Sequence, residues 1–202
     1  MEMTGEQLVP ASQQDTWNAL NDPEVLKACI PGCESIDRIG DNEYSVLMVA
    51  RVGPVSAKFK GKLSLSDIRA PQSYSLAFEG QGGAAGFAKG GAQVRLSPKD
   101  SGTVLAYDVK ASVGGKLAQI GSRLVDAAAK KIADDFFRNF NEKVAAQHGS
   151  EDTTVILPKD GEDRPAAEPG DRQLPALSNT TLALFAAGVL AVVIFALVAL
   201  LG

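Results

Sequence analysis

Residues 116–147 read KLAQIGSRLVDAAAKKIADDFFRNFNEKVAAQ, and this stretch decides the fold. Apolar residues recur in it at spacings of three and four, the period of one face of an α-helix. This apolar stripe consists of Leu117, Ile120, Leu124, Ala128, Ile132, Phe136 and Phe140. We therefore predict one continuous helix over residues 116–147, and its apolar face must cover another apolar surface.

That surface lies in residues 33–113, where the apolar period changes to two. Phe59 and Leu63 alternate with lysine and serine residues, and Tyr107 and Val109 follow the same pattern further on. Such alternation is typical of antiparallel strands with one covered face and one wet face. Turn residues separate the strands at 40–42, 53–54, 70–71 and 98–102. The pattern predicts about six strands in this stretch.

Shorter elements precede this sheet. Residues 3–9 suit a strand, and Ser12 is a plausible N-cap of a first short helix, with Asp15 completing an acidic capping box. Pro23 begins a second short helix, which Pro31 and Gly32 close. The predicted fold class is therefore α+β, with a helix-grip arrangement in which an antiparallel sheet wraps around a long C-terminal helix.

The chain ends in a stretch suited to a membrane. Residues 182–201 read LALFAAGVLAVVIFALVALL, twenty residues without a charge. As a helix they would span about 30 Å, the thickness of a bilayer's hydrocarbon core. The N-terminus carries neither a basic nor an apolar signal region, and basic residues precede the apolar stretch but do not follow it. We expect a single-pass C-terminal anchor in the cytoplasmic membrane, with the preceding domain in the cytoplasm.

Composition divides the chain into three regions: a globular head at 1–148, a linker at 149–178 and the anchor at 179–202. The linker holds four prolines and a net charge of −4, and its lack of apolar periodicity predicts disorder. Thirty flexible residues span about 30 Å r.m.s.. Outside the linker the charges balance, which argues against a nucleic-acid partner.

Catalytic and metal chemistry find little support. The single histidine, His148, lies at the start of the linker, so no Ser-His-Asp or Cys-His set can form within the head. Cys29 and Cys33 flank the Pro31-Gly32 turn, too few ligands for zinc. We interpret them as partly buried thiols and give a redox or iron–sulfur role little weight. The sequence predicts a protein that is not an enzyme and holds no metal.

The long helix carries bulky residues in its C-terminal half and small ones, such as Gly121 and Ala128, in its N-terminal half. Because cores do not leave large apolar voids without cost, one hypothesis is a ligand pocket between sheet and helix near these small residues. Its predicted walls are Met48, Phe59, Phe78, Tyr107, Leu117, Ile120 and Leu124. The alternative is that the small residues merely let the backbones approach closely.

A glycine-rich stretch at 80–92 reads GQGGAAGFAKGGA, with Phe87 as its one large apolar residue. Its glycines do not have the spacing of a phosphate-binding loop. One interpretation is a mobile loop whose Phe87 gates a pocket or docks on a lipid or a partner. A bulged hairpin is the other.

Three blocks of the sequence resemble a known family. CIPGCE at 29–34, GFAKGGAQVRL at 86–96 and YDVKASVGGKLAQIGSRLVDAAAKKIADDFF at 107–137 are similar to the G subunit of carbon monoxide dehydrogenase, a member of the START-like (SRPBCC) superfamily. The resemblance covers about residues 1–147, and the linker and tail match a subset of that family. It implies a helix-grip domain that can hold an apolar ligand under its long helix.

The resemblance also implies a function. It suggests an accessory protein that recruits a molybdenum carbon monoxide dehydrogenase to the cytoplasmic membrane. A tethered head with an apolar pocket could then carry an isoprenoid quinone between the bilayer and the enzyme. The alternative is a pure adaptor that docks the dehydrogenase through Pro31, Gly32 and the glycine-rich stretch, without any ligand. A third possibility, an enzyme for a hydrophobic substrate, has less support.

Overall fold

The computed structural model describes residues 2–52 and 55–148 of the chain. In this part, seven strands form one antiparallel sheet. The strands are β1 (Glu2–Val9), β2 (Cys33–Gly40), β3 (Glu43–Val52), β4 (Val55–Arg69), β5 (Ser73–Gln81), β6 (Phe87–Lys99) and β7 (Gly102–Gly114). The helices are α1 (Gln13–Ala19), α2 (Pro23–Cys29), α3 (Lys116–Gln119) and α4 (Ser122–His148), and a 3-10 turn spans Gly83–Ala85.

The strands follow one another as hairpins from β2 to β7, and β1 pairs with β7 to complete the order β1-β7-β6-β5-β4-β3-β2. The predicted alternation is confirmed, because Phe59, Leu63 and Tyr107 are buried on one face, which we call the inner face. The predicted turns at 40–42, 70–71 and 98–102 are also confirmed. The predicted turn at 53–54 lies outside the described residues.

The two short helices begin where their caps predict. The Ser12 hydroxyl oxygen accepts a hydrogen bond from the backbone N–H of Asp15 at 3.1 Å. The carboxylate of Asp22 caps α2 in the same way, and Pro23 occupies its first turn. Each cap satisfies a backbone donor that has no partner inside the helix.

The prediction of one continuous helix over residues 116–147 is wrong. The chain forms the short helix α3, breaks at Ile120 and Gly121, and then begins α4 at Ser122. Gly121 has a φ of +93°, a left-handed conformation that glycine adopts readily and that ends a regular helix. The break changes which residues face the sheet: Val125 and Ala129 are buried, whereas Leu124 is 52% exposed.

From Val125 onward α4 lies against the inner face of the sheet and against α2. The ring of Phe137 stacks on Tyr107 of β7 with 5.6 Å between their centroids. The side-chain amide of Asn139 donates to the backbone oxygen of Cys29 at 3.1 Å, which attaches the helix to the end of α2. The α+β helix-grip fold is therefore confirmed for the head, with its core between α4 and the sheet.

The glycine-rich stretch forms a hairpin rather than a long loop. Strand β5 continues to Gln81 and β6 starts at Phe87, so only residues 82–86 connect them. Three glycines of the sheet lie directly opposite aromatic residues in the register: Gly5 opposite Tyr107, Gly90 opposite Phe78, and Gly114 opposite Phe87. A Cβ atom at any of them would collide with the facing ring. These glycines therefore seat aromatic side chains across the strands.

In the part of the chain that the structure describes, no helix combines the length and apolar composition that crossing a membrane requires. The predicted linker and anchor, including residues 182–201, lie outside the described residues.

Candidate functional site

A groove of about 330 Å³ opens where the turn between α2 and β2 meets β3 and α4. Its lining residues are Pro31, Gly32, Val49, Arg51, Ala128, Lys131, Ile132 and Asp135. The groove brings together Ala128, predicted as a ligand contact, with Pro31 and Gly32, predicted as docking residues. Whether these residues bind a ligand or a partner stays a prediction.

The turn that forms one side of the groove is attached directly to β3. The backbone oxygen of Gly32 accepts a hydrogen bond from the N–H of Val49 at 2.9 Å. Gly32 has a φ of +78°, and a Cβ atom there would overlap the backbone oxygen of Val49. Because only glycine fits this position, Gly32 lets the turn pack directly against β3 at the side of the groove.

The groove combines apolar walls with a charged rim. Pro31, Val49, Ala128 and Ile132 supply the apolar surface, whereas Arg51, Lys131 and Asp135 supply the charges. Lys131 donates to the carboxylate of Asp135 at 2.8 Å. This hydrogen bond, with a second one from Arg138, lowers the pKa of Asp135 below its ordinary value. The rim therefore offers cationic hydrogen-bond donors next to an apolar floor.

Five of the predicted pocket walls lie in the packed core. Met48 and Leu117 have no exposed surface, and Phe59, Phe78 and Tyr107 are buried. Met48 is the register partner of Phe59 across β3 and β4, and Tyr107 lies between the Gly5 backbone and the Phe137 ring. A side chain without accessible surface does not line a space that admits water, so in this structure Met48 and Leu117 border no such cavity.

The remaining predicted contacts lie elsewhere. Leu124 points to solvent, Gly121 is exposed, and Ile120 is half-buried beside α3. Phe87 lies on the outer face of the sheet, because the alternation along β6 turns its neighbour Ala88 inward. The prediction that Leu124 faces the sheet is therefore wrong, and Phe87 lies in strand β6 rather than in a mobile loop; a role of either residue in ligand binding stays a prediction. Both side chains lie at the surface.

Sequence reasoning missed five residues of the groove as site residues: Val49, Arg51, Lys131, Ile132 and Asp135. A partial signal for α4 was present, because Ala128, Lys131, Ile132 and Asp135 are three or four positions apart and share one helical face. No comparable signal links β3 to this face, because the contact depends on the tertiary fold.

A larger depression of about 770 Å³ lies on the outer face of the sheet, around Ala77 and Gly90. Its rim carries Lys62 and Lys110, which pair with Glu43 at 2.9 Å and with Glu2 at 3.2 Å. Exposed pairs of this kind contribute little to stability and are typical of a solvated strand face.

The two cysteines are free thiols on either side of the groove's turn, Cys29 buried and Cys33 half-buried. Burial raises the pKa of each thiol from 9.0 to about 11, although Lys143 near Cys29 and Lys27 near Cys33 act in the opposite direction. Within residues 2–52 and 55–148, no group of three or more histidine, cysteine or acidic side chains is arranged to hold a metal ion.

The raised thiol pKa values predict slow alkylation. At pH 8 a thiol with a pKa of about 11 is ionised about a hundredfold less than one at 9.0, and only the thiolate reacts. We expect iodoacetamide to modify Cys29 in the native Cys33→Ser variant about a hundredfold more slowly than in the urea-unfolded chain. The same shift means that the thiol's contribution to stability is complete below pH 9 and is lost as the pH rises towards 11. Equal alkylation rates in the native and the unfolded protein would contradict the burial of the Cys29 thiol.

Comparisons with known proteins agree on the head. The family model that describes the G subunit of carbon monoxide dehydrogenase (CoxG) matches residues 5–145. A crystal structure of a conserved protein from Geobacillus kaustophilus is 32% identical, with a TM-score of 0.69, and the match covers 73% of this chain and 97% of that one. That relative is almost entirely head, so a domain of this extent folds without a linker or tail. No curated protein gives a significant match.

More distant structures share the fold alone. A protein from Thermus thermophilus is 17% identical with a TM-score of 0.56, over 73% of this chain and 99% of that one. The protein Ms6760 from Mycobacterium smegmatis is 16% identical with a TM-score of 0.54, over 73% of this chain and 92% of that one.

Proposed function

Because the chain belongs to the CoxG family of carbon monoxide dehydrogenase, a family of non-catalytic accessory proteins, we propose that it recruits a molybdenum carbon monoxide dehydrogenase to the cytoplasmic membrane. The family match carries this proposal, because it covers nearly the whole head. In this view the head docks the soluble enzyme, residues 179–202 anchor the protein, and the linker lets the head move beside the bilayer.

We further propose that the head binds an isoprenoid quinone and carries electrons from the enzyme to the quinone pool. The groove at Ala128 supports this step by its chemistry. A quinone ring is flat and apolar and has carbonyl acceptors, and the groove has apolar walls with Arg51 and Lys131 as donors at its rim. Its volume of about 330 Å³ lies at the lower end of the range for small-molecule sites.

The alternative is a pure adaptor, and one observation favours it. Met48, Phe59 and Leu117 are buried in the packed core, so an isoprenoid chain could enter the inner core only if those side chains moved. Under this alternative the groove at Pro31 and Gly32 receives a segment of the dehydrogenase instead of a quinone.

The anchor provides the test of recruitment. We compare cells that express the full chain with cells that express residues 1–148, and we assay the dehydrogenase in membrane and soluble fractions. The membranes are first washed in high salt, which releases proteins held there by charge. The proposal then predicts membrane-bound enzyme with the full chain and soluble enzyme with the truncated one, because the truncated head lacks the apolar residues 182–201. Enzyme that sediments equally with the membranes in both strains would contradict it.

Mass spectrometry distinguishes a quinone carrier from a pure adaptor. The carrier predicts that the head, purified from its own membranes, retains an isoprenoid quinone. Recovery of no quinone, with recruitment by the full chain intact, would support the adaptor.

A further inference from the structure

The two ends of the sheet differ in the elements that lie there. One end, which we call the α3 end, consists of the connection at 82–86, Phe87, α3 and the first turn of α4. These parts contact one another, because Phe87 covers Gly114, Gly86 packs against Gly115, and α3 lies against the 3-10 turn. The hairpin end, at the other end of the strands, holds the turns β2–β3, β4–β5 and β6–β7.

We propose that the α3 end is the surface with which the head contacts an anionic lipid bilayer. This inference rests on the proposed function, because it says how a tethered head would meet the membrane. Its first support is exposed apolar surface. Phe87 is 47% exposed, Leu124 is 52% exposed, and Ile120 between α3 and α4 is half-buried. Large apolar side chains of this kind enter the headgroup region when a protein lies on a bilayer.

The second support is charge. The α3 end carries Lys116 and Arg123 and no acidic residue, a net charge of +2. The rest of α4, residues 126–148, has four acidic and four basic residues and therefore no net charge. Lys89, two residues after Phe87, is exposed as well. Each basic residue near an anionic membrane strengthens binding about fivefold.

The hairpin end has apolar residues without this charge. Ile39 is 54% exposed and Ile68 is 36% exposed. Each of its three turns has an acidic residue close by, namely Asp41, Asp67 and Asp100, and a basic one, namely Arg38, Arg69 and Lys99. Because these charges balance, the turns do not attract an anionic surface, so exposed apolar area alone does not select the membrane-facing end.

The proposed orientation of the head sets the distance that the linker must span. Helix α4 has 27 residues and is about 40 Å long, and the linker begins at its far end. With the α3 end on the bilayer and α4 upright, the linker must therefore span about 40 Å. The thirty residues 149–178 reach at most about 100 Å when extended, which is sufficient. A linker of ten residues reaches at most about 35 Å, which is not.

The experiment measures sedimentation of residues 1–148 with vesicles of equal parts phosphatidylglycerol and phosphatidylcholine, and with phosphatidylcholine alone. We expect binding to the anionic vesicles only. Phe87→Ser with Leu124→Ser should weaken it about tenfold or more, and Lys116→Glu with Arg123→Glu should do the same. The matched control, Ile39→Ser with Ile68→Ser, should bind like the unchanged head. Thermal unfolding confirms that each variant is folded, and the charge variant, which alters only exposed side chains, provides the test should the apolar variant unfold.

Three results of the vesicle experiment would overturn the inference: no binding of the unchanged head to anionic vesicles, full binding by a folded α3-end variant, or an equal loss in the control. The recruitment assay keeps the two proposals apart. If the full chain recruits the enzyme but the head does not bind vesicles, this inference is wrong and the proposed function stands. If the head binds vesicles as expected but the full chain recruits no enzyme, the proposed function is wrong and this inference stands. In the full chain, a ten-residue linker should retain anchoring and prevent photo-crosslinking of position 87 to lipid; crosslinking as strong as with thirty residues would also overturn the inference.

Discussion

Replacing Phe136 by alanine should lower the free energy of unfolding of the head by about 3–5 kcal/mol. Phe136 has no exposed surface, and its ring contacts those of Phe137 and Phe140 at centroid distances of 5.1 and 5.4 Å. The substitution removes this contact area and leaves a cavity that a closely packed core fills only in part. Urea unfolding of residues 1–148, followed by tryptophan fluorescence, measures the change.

Leu124→Ala on the same helix is the matched control. Leu124 belongs to the apolar stripe of the sequence but is 52% exposed in the structure, so its loss should change the free energy of unfolding by about 0.5 kcal/mol or less. A continuous helix from residue 116 would bury Leu124 and make its truncation cost several times more. Equal costs at the two positions would therefore contradict the break at Gly121.

The sheet could be predicted from the sequence because each strand carries its own evidence. Alternation with period two identifies the inner face of β4 and β7 directly, and proline and glycine mark the turns. The phase of α4 could not be predicted in this way. Gly121 is compatible with a helix and with a left-handed break, and tertiary contacts decide between them.

The groove illustrates the same limit. Ala128 and the Pro31-Gly32 turn each stood out in the sequence, but as members of two different predicted sites. Only the hydrogen bond between Gly32 and Val49, and the packing of α4 beside β3, place them around one space. The glycines opposite Phe78, Phe87 and Tyr107 have a similar explanation, because their function in seating a ring appears only in the register.

The packing of the head also limits where a quinone could bind. The inner core holds Met48, Phe59 and Leu117 with almost no accessible surface, so binding there would require side chains to be displaced from a close-packed arrangement. The groove at Ala128 needs no such movement to admit a ring. Under the carrier proposal, the quinone ring lies against the apolar surface at Ala128 and Ile132, with a carbonyl near Arg51 or Lys131 at the rim.

Ala128→Trp should therefore reduce quinone binding about a hundredfold or more, which corresponds to ~2.7 kcal/mol. Ala128 is half-buried and lines the groove, so an indole there would project into the space of about 330 Å³ and leave too little room for a quinone ring. Ala127→Trp is the matched control, because Ala127 is the neighbouring residue of α4 and is exposed. We would measure quinone retained by each purified head and dehydrogenase recruited by each full chain.

The two readouts distinguish the groove's possible uses. A carrier that binds its ligand there loses quinone at Ala128→Trp and keeps recruitment, since the turn and the anchor are unchanged. Loss of recruitment without any change in quinone would make the groove the docking site of the enzyme, as the adaptor alternative requires. Undiminished quinone in a folded Ala128→Trp head would show that the ligand does not lie in the groove.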